Sequence, residues 1–456
     1  MIGLRPALLV LPVLISGLQV GVRAAPAQDL EVPAGALGAD DAVRIALERN
    51  HSVAIAESNY EAARGESWQA LRGVLPSVSS SGVYTHTDVT GPAIVDNRLA
   101  IGRTRADSRS IDLLVNQSVF SWTDIQTLRS ARAGARSSSG LARAEELDVA
   151  LEVRTQFYEL LRALKQREVR DEGVKLSEDQ LKRAETLFEL GSVARSDVLQ
   201  ARVNLQGARL EQIRARNLTE IERARLNQLM GLRATTPLEI KDEISGEIEA
   251  EVIPAVEVDS TEVLREALTE RPDVAAARES VRSSEALLGA ARGSRYPALF
   301  GRMNWFWTYR PGAGFDVSGQ ILENDTSGWV ATAGVAIPIF DGMLTEGQVK
   351  SAKSQLASER SRQSQLELAV GLEVKEGILA VREARQSIAV SRDGVSLAEE
   401  NLSLAQERYN VGSGTILELD EAQVSLIDAR RSLIDSLAGL RVAQARLDRA
   451  RGAGLP

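Results

Sequence analysis

The chain has 456 residues, a formal net charge of −9, no cysteine, and 4% aromatic residues among 44% hydrophobic ones. The missing cysteine excludes disulfides, thiolate metal sites, a cysteine nucleophile and an N-terminal lipid-modified cysteine, and the acidic balance argues against a nucleic-acid-binding surface. A composition led by Leu, Ala, Arg, Glu and Ser suits long helices better than one large globular core.

Residues 1–27 read as a secretory signal peptide. Arg5 supplies the positive start, Leu8 to Val22 the apolar run, and Val22-Arg23-Ala24 or Ala25-Pro26-Ala27 a small-residue cleavage site. Pro6, Pro12 and Gly17 inside the short run argue against a membrane anchor. Past this segment no uninterrupted apolar run reaches the roughly 20 residues of a membrane-spanning helix, so a membrane form would cross by strands.

Residues 28–232 form a first structural repeat. Asp40 or Asp41 caps a helix carrying Val43, Ala46, Leu47 and Val53 and running to about Gly73. The period then falls from about 3.6 to 2. Strands are predicted over 74–90 and 109–122, a hairpin spanning 74–122 whose loop, 91–107, is rich in turn residues. A helical hairpin follows over 124–232. Ala150, Val153, Phe157, Leu160 and Leu164 mark a heptad seam in its first arm, the turn falls at Leu190-Gly191-Ser192, and Val198, Ala201, Leu205, Ala208, Ala215, Leu226 and Leu229 line the return arm. Gln212, Thr219 and Glu222 interrupt that line. Residues 233–260, acidic and broken by Pro237 and Pro254, read as a linker at the middle of the helical hairpins.

Residues 261–456 repeat the order. A helix from Thr261 to Gly293 precedes a hairpin at 295–341, with strands over 296–310 and 329–340 and a loop at 311–327. One face carries Leu299, Gly301, Met303, Trp305, Trp307 and Tyr309, then Trp329, Ala331, Ala333, Val335, Ile337 and Ile339. The long helical hairpin spans 342–452. It turns at Tyr409-Asn410-Val411-Gly412-Ser413-Gly414 and returns on a Leu/Ala ladder of Leu419, Ala422, Leu426, Ala429, Leu433, Ser436, Leu440, Ala443, Leu447 and Ala450. Gly412 lies 221 positions after Gly191, and Ala46-Leu47 matches Ala267-Leu268 at the same offset. The chain is therefore an internal duplication.

Of the 18 aromatic residues, 12 fall within 74–122 and 295–341. Trp and Tyr gather at membrane interfaces; a soluble β-subdomain with its aromatic face on the helices gives the same pattern. Four strands cannot close a barrel around a passage, and open edges are not left in lipid. Three copies would supply twelve strands above a ring of helix pairs.

The segments Phe188-Glu189-Leu190-Gly191-Ser192 to Asp197-Val198-Leu199-Gln200-Ala201 and Tyr409-Asn410-Val411-Gly412 to Glu418-Leu419-Asp420-Glu421-Ala422, with Phe120-Ser121-Trp122 and Ile337-Pro338-Ile339-Phe340-Asp341-Gly342, resemble the TolC-like outer membrane efflux protein family from Gly38 to Gly452. The resemblance implies a mainly α protomer with a β-barrel part, assembled as a homotrimer with a 12-stranded outer-membrane barrel in outer-membrane lipid on a periplasmic α-helical barrel. It also implies docking, at tips built on Gly191, Ser192, Gly412, Ser413 and Gly414, to a periplasmic adaptor linked to an inner-membrane transporter. These partners follow from the resemblance alone. So do the site roles: Glu418, Asp420 and Glu421 at a pore constriction, with Asp197 and Tyr409 closing the tip. A basic residue found in some members is replaced by Gly414, and Arg195 is the candidate substitute. A helix N-terminus that favours acids through its dipole accounts for Glu418 and Asp420 without a pore.

No Ser-His-Asp set, phosphate loop or clustered ligand motif stands out, and His51 and His86 fall in different predicted elements. The arginines between Arg209 and Arg225 interleave with Glu211, Glu220 and Glu222, as on a solvated helix face. The expectation is a passive exit duct for efflux or type I secretion, without enzymatic activity or cofactor. The alternative is a periplasmic coiled-coil adaptor or scaffold, against which the duplicated strand and hairpin order argues.

Overall fold

The computed structural model describes residues 35–95, 98–244, 259–315 and 321–455. The signal expected over 1–27 and residues 245–258 of the expected linker lie outside them. The opening helix is two: α1 (Ala39–Arg49) and α2 (His51–Ala70). The sequence predicts one helix to Gly73, but Asn50 is extended. Its side-chain oxygen accepts from the Ser52 N–H at 2.7 Å and its amide donates to the Leu229 carbonyl at 2.8 Å. An asparagine that serves as its own N-cap explains a break no proline marks.

In the second repeat α5 (Ser260–Glu270) and α6 (Pro272–Gly293) break at Arg271, which precedes a proline and is extended for that reason. Arg271 is 2% exposed. Its guanidinium donates to Asp273 (2.7 Å), Glu373 (2.5 Å) and the Ala450 carbonyl (3.4 Å). Glu373 also accepts from Arg449, which bonds Asp148. A buried guanidinium is tolerable only when paired in this way, and the knot ties the break to both long hairpins.

The strands β1 (Ser77–Val95), β2 (Arg98–Phe120), β3 (Ala298–Phe315) and β4 (Ile321–Ala336) form a single antiparallel sheet in chain order. Three features differ from the sequence expectation. The two hairpins are joined by β2–β3 pairing from Arg109↔Tyr309 to Phe120↔Leu299. The expected loops at 91–107 and 311–327 are largely ladder, reaching Val95↔Arg98 and Phe315↔Ile321. Pro92 is tolerated because β1 is an edge strand, and Pro311 because the register shifts between Arg310 and Gly314. At the other end β4 stops at Ala336, before Pro338, so Ile337 and Ile339 lie outside the ladder.

The register places Val78 and Tyr84, Ile111 and Leu113, Met303 and Trp305, and Trp329 and Val335 on one face, and all are exposed. The opposite face is mainly polar, with Arg302 donating to Asn116 at 2.9 Å. Phe300 and Phe306 there lie over their cross-strand partners Gly334 and Gly328, at 2.7 and 3.1 Å from where a Cβ would stand. An aromatic ring thus covers the gap each glycine leaves.

Four long helices complete the unit: α3 (Trp122–Glu189), α4 (Arg195–Leu229), α7 (Leu344–Asn410) and α8 (Ile416–Arg451). At 68 residues, α3 runs for about 100 Å. They pack as a row, α4–α3–α8–α7, while nearer the sheet the row is α2–α3–α6–α7. The ladder residues Leu419, Ala422, Leu426, Leu433, Leu440, Ala443, Leu447 and Ala450 are buried. The interruptions on α4 are satisfied rather than void. Thr219 bonds the Ala215 carbonyl, Glu222 accepts from Gln156, and Gln212 donates to Asp171. The outward faces of the end helices remain apolar. Leu199, Val203, Leu210, Ile213, Leu218 and Ile221 are exposed on α4, and Leu368, Leu372, Leu379, Val390, Leu397 and Leu404 on α7.

Candidate functional site

Each long hairpin turns in the same backbone conformation. Gly191 and Gly412 take φ of +72° and +73°. The N–H of Ser192 donates to the Leu187 carbonyl at 2.9 Å, and that of Ser413 to Arg408 at 3.0 Å. This is the left-handed C-cap in which glycine satisfies the last helical carbonyls without Cβ strain.

The side chains around the two turns differ. Tyr409 is 2% exposed, whereas Phe188, its equivalent in the first repeat, is 44% exposed. Tyr409 packs with Ala184, Val198, Ala201, Leu402, Leu419 and Ala422, so it belongs to the core that joins the two hairpins near their tips. Its hydroxyl has no hydrogen-bond partner among the described residues. Burial, and after it the Asp197 carboxylate, push the phenol above its ordinary pKa. Asp197 instead accepts from the Ser196 hydroxyl at 3.2 Å. The tyrosine therefore holds the tip through packing within its own chain.

Glu418 and the turn are linked by two contacts that sequence reasoning missed. Arg408 pairs with Glu418 at 3.3 Å, and the Thr415 hydroxyl caps α8 by accepting from the Glu418 N–H at 3.2 Å. The spacing Thr415-x-x-Glu418 is a legible capping-box signal; the arginine across the turn has no such local signature. At the equivalent of Thr415, Ala194 offers α4 no side-chain cap.

Gly414 also has a physical reason. A Cβ there would stand 3.0 Å from the Arg408 Cβ and 3.1 Å from the Tyr409 nitrogen. Arg195 is exposed and makes no ion pair among the described residues. The cation that reaches Glu418 is Arg408.

Asp420 and Glu421 stand one turn further on. Glu421 is exposed and Asp420 half-buried. Burial, and then the charge of Glu421, hold the Asp420 carboxyl above its ordinary range. The first repeat has Leu199 and Gln200 at these two places, so the adjacent acids belong to the second tip only. Among the described residues no group of His, Cys, Asp and Glu is placed to hold a metal ion.

The model of the Outer membrane efflux protein family matches twice, over residues 42–232 and 263–453, one match to each repeat. The chain belongs to the outer membrane efflux protein family. CyaE of Bordetella pertussis is 28% identical over 251 residues, 55% of this chain and 51% of that protein. The antibiotic efflux pump outer membrane protein ArpC of Pseudomonas putida is 22% identical over 287 residues, 61% of this chain and 57% of that protein. The chain thus spans little more than half the length of these curated relatives. The fold likeness is wider. The outer membrane protein VceC of Vibrio cholerae matches with a TM-score of 0.76 at 18% identity, over 92% of this chain and 97% of that one. The MtrE outer membrane channel of Neisseria gonorrhoeae, in its open state, matches with a TM-score of 0.73 at 19% identity, over 91% and 89%. In this family member the hairpin ends combine one backbone turn, the same in both repeats, with a buried tyrosine, an arginine–glutamate pair and two adjacent acids on the second repeat alone.

Proposed function

We propose that this efflux protein is the outer-membrane exit duct of a tripartite efflux or type I secretion assembly. It would be a homotrimer with a twelve-stranded barrel in the outer membrane and its helices in the periplasm. The observation that carries this is the matching of open edges. The sheet ends at β1 and β4, and the helical row ends at α4 and α7 with exposed apolar stripes on both. A head-to-tail contact between unlike edges closes into a ring. Two copies would give about eight strands, whose interior side chains fill. Three is the smallest ring that leaves a passage, and it turns the apolar sheet face to lipid.

The duct is passive, and energy comes from an inner-membrane transporter reached through a periplasmic adaptor that docks at the Gly191 and Gly412 tips. Relatives named as efflux-pump outer membrane proteins support this placement. Glu418, Asp420 and Glu421, present three times each, form the constriction at the tip and concentrate cations. Because Glu418 is already paired with Arg408, Glu421 and Asp420 carry more of the uncompensated charge.

Planar-bilayer conductance in a salt gradient tests the reading. The expected result is a cation-selective channel that multivalent cations block from the tip side. Asp420→Asn with Glu421→Gln should weaken selectivity and block more than Glu418→Gln. Selectivity and block that survive all three substitutions made together would remove these acids from the pore, and an absence of conductance by assembled protein would remove the duct.

A further inference from the structure

Most arginines of α4 are neutralised. Arg202, Arg209, Arg214, Arg216, Arg223 and Arg225 each lie within 4 Å of a carboxylate. The first turns of α3 are different. Residues 125–144 hold four arginines and no acidic residue. Arg129, Arg132, Arg136 and Arg143 are all exposed, and their spacing of three, four and seven puts them on one helix face. Of these only Arg136 has an ion pair among the described residues, with Glu279 at 2.8 Å, and Glu279 is shared with Arg282. Arg129, Arg132, Arg136 and Arg282 line one groove between α3 and α6 that contains a single carboxylate, Glu285, itself paired with Arg360.

The position of this groove says what it meets. Its upper end lies just below the sheet. Trp122 opens α3 directly after β2 and stands edge-on to Tyr296, just before β3, at 6.4 Å. The Arg129 guanidinium lies over the Trp122 ring at 6.0 Å. Arg129 and Arg132 are seven and ten residues into a helix that leads away from the sheet, about 10 and 15 Å along its axis. Helical side chains lean toward the N-terminus, here toward the sheet. A second groove meets it at Arg136 and continues down α3 past Arg143; Glu146, Glu270, Glu279 and the C-terminal residues Gly452–Leu455 line this one. Gly454 in turn accepts from Arg154, which also bonds Asp40 at the start of α1. Through the shared Arg136 the arginine groove opens on the same side as Gly452–Leu455, and a duct must keep its passage clear of those residues. Nor is it at a protomer edge, since α3 and α6 are the inner members of the upper row.

We propose that the Arg129–Arg132 face of this groove binds the headgroup phosphate of anionic phospholipid in the periplasmic leaflet, anchoring the duct at a fixed depth. The proposal rests on the outer-membrane reading above. Charge complementarity supports it: unpaired guanidinium groups beside an aromatic pair meet a negatively charged lipid surface. Arg72 and Arg292, at matching places in the two repeats just before β1 and β3, are exposed without ion pairs among the described residues and add to the same positive rim. Bidentate guanidinium–phosphate contacts make arginine the suited residue.

The test uses the full-length protein extracted from membranes in mild detergent and mixed with phosphatidylglycerol and phosphatidylcholine in equal amounts, with bound lipid read by native mass spectrometry. The wild type should retain phosphatidylglycerol in preference, and added salt should reduce the preference. Arg129→Gln with Arg132→Gln should lower it by about fivefold per arginine, with the trimer intact. Arg216→Gln with Arg225→Gln on α4 should leave it unchanged. Intact trimers without lipid preference would overturn the proposal and leave the duct reading standing, whereas a soluble monomer would end both. Inorganic phosphate bound without any preference for phosphatidylglycerol would overturn the lipid assignment. A change of channel ion selectivity in the Arg129/Arg132 variant at unchanged lipid retention would place the groove on the pore side, with the same consequence.

Discussion

The two hairpin tips share a backbone and differ in chemistry. Gly191 and Gly412 have the same φ within a degree, yet Phe188 lies open where Tyr409 is enclosed, Leu187 stands where Arg408 pairs with Glu418, and Ala194 where Thr415 caps. Duplication preserved what the turn requires of the chain, a residue without Cβ and a seam on each arm. It left the surface around the turn free to diverge, so that one tip became a packed and charged element and the other did not.

The largest expected effect comes from emptying the enclosed ring. Tyr409→Ala should cost about 3–5 kcal/mol of local stability, as for buried aromatics elsewhere, while Phe188→Ala should cost about 1 kcal/mol or less. Hydrogen exchange of amides from Leu402 to Leu426 reads the difference, and equal costs would mean the tips are packed alike. Tyr409→Phe removes an unpartnered hydroxyl and should be neutral or slightly stabilising.

Next come the glycines. An added Cβ meets nothing within 4 Å at Gly191 or Gly412, so only the left-handed backbone resists substitution. Gly191→Val and Gly412→Val should each cost about 1–2 kcal/mol, appearing as faster exchange confined to the altered tip in protein that still assembles. A markedly larger cost at one tip would show that the turns are not equivalent.

The caps can be exchanged. The backbone at Ala194 (φ −80°, ψ 157°) is close to that at Thr415 (φ −97°, ψ 156°). Thr415→Ala should lose about 1 kcal/mol at the second tip, and Ala194→Thr should gain part of that at the first. Opposite signs in the two exchange profiles are the expected outcome; like signs would contradict the cap assignment.

The smallest effect is electrostatic. The folded-state pKa of Asp420 is raised, by burial first and Glu421 second. Its carboxyl therefore contributes stability at low pH that is lost as pH rises through the raised value. Tip exchange in the wild type should quicken across that window, and Asp420→Asn should flatten the profile. The equivalent window at Leu199 in the first tip should be silent.

Much of this was legible in the chain. The offset between Gly191 and Gly412, the seam from Leu419 to Ala450 and the alternation from Leu299 to Tyr309 each follow from local periodicity, and the two hairpin turns, the buried seam and that strand face lie where those patterns put them. What escaped depended on contacts far apart in sequence. The β2–β3 pairing joins segments almost two hundred residues apart and has no turn to announce it. Pro92 and Pro311 read as loop residues because their tolerance depends on an edge and a register shift that only the sheet defines. Nothing local marks Arg271 as buried; Glu373 and the end of α8, far along the chain, close over it. At the tip, the glycines and acids carried a family signature, but neither the enclosure of Tyr409 nor the Arg408–Glu418 pair has a local pattern to reveal it.

The proposed duct depends on closure of unlike edges, β1 with β4 and α4 with α7, between copies of this chain. The mass of the membrane-extracted protein in mild detergent, corrected for bound detergent and lipid, tests that most directly. Three protomers in a particle that falls to one only on heating is the expected result. A monomer, or a pair of protomers, at the same extraction conditions would contradict it.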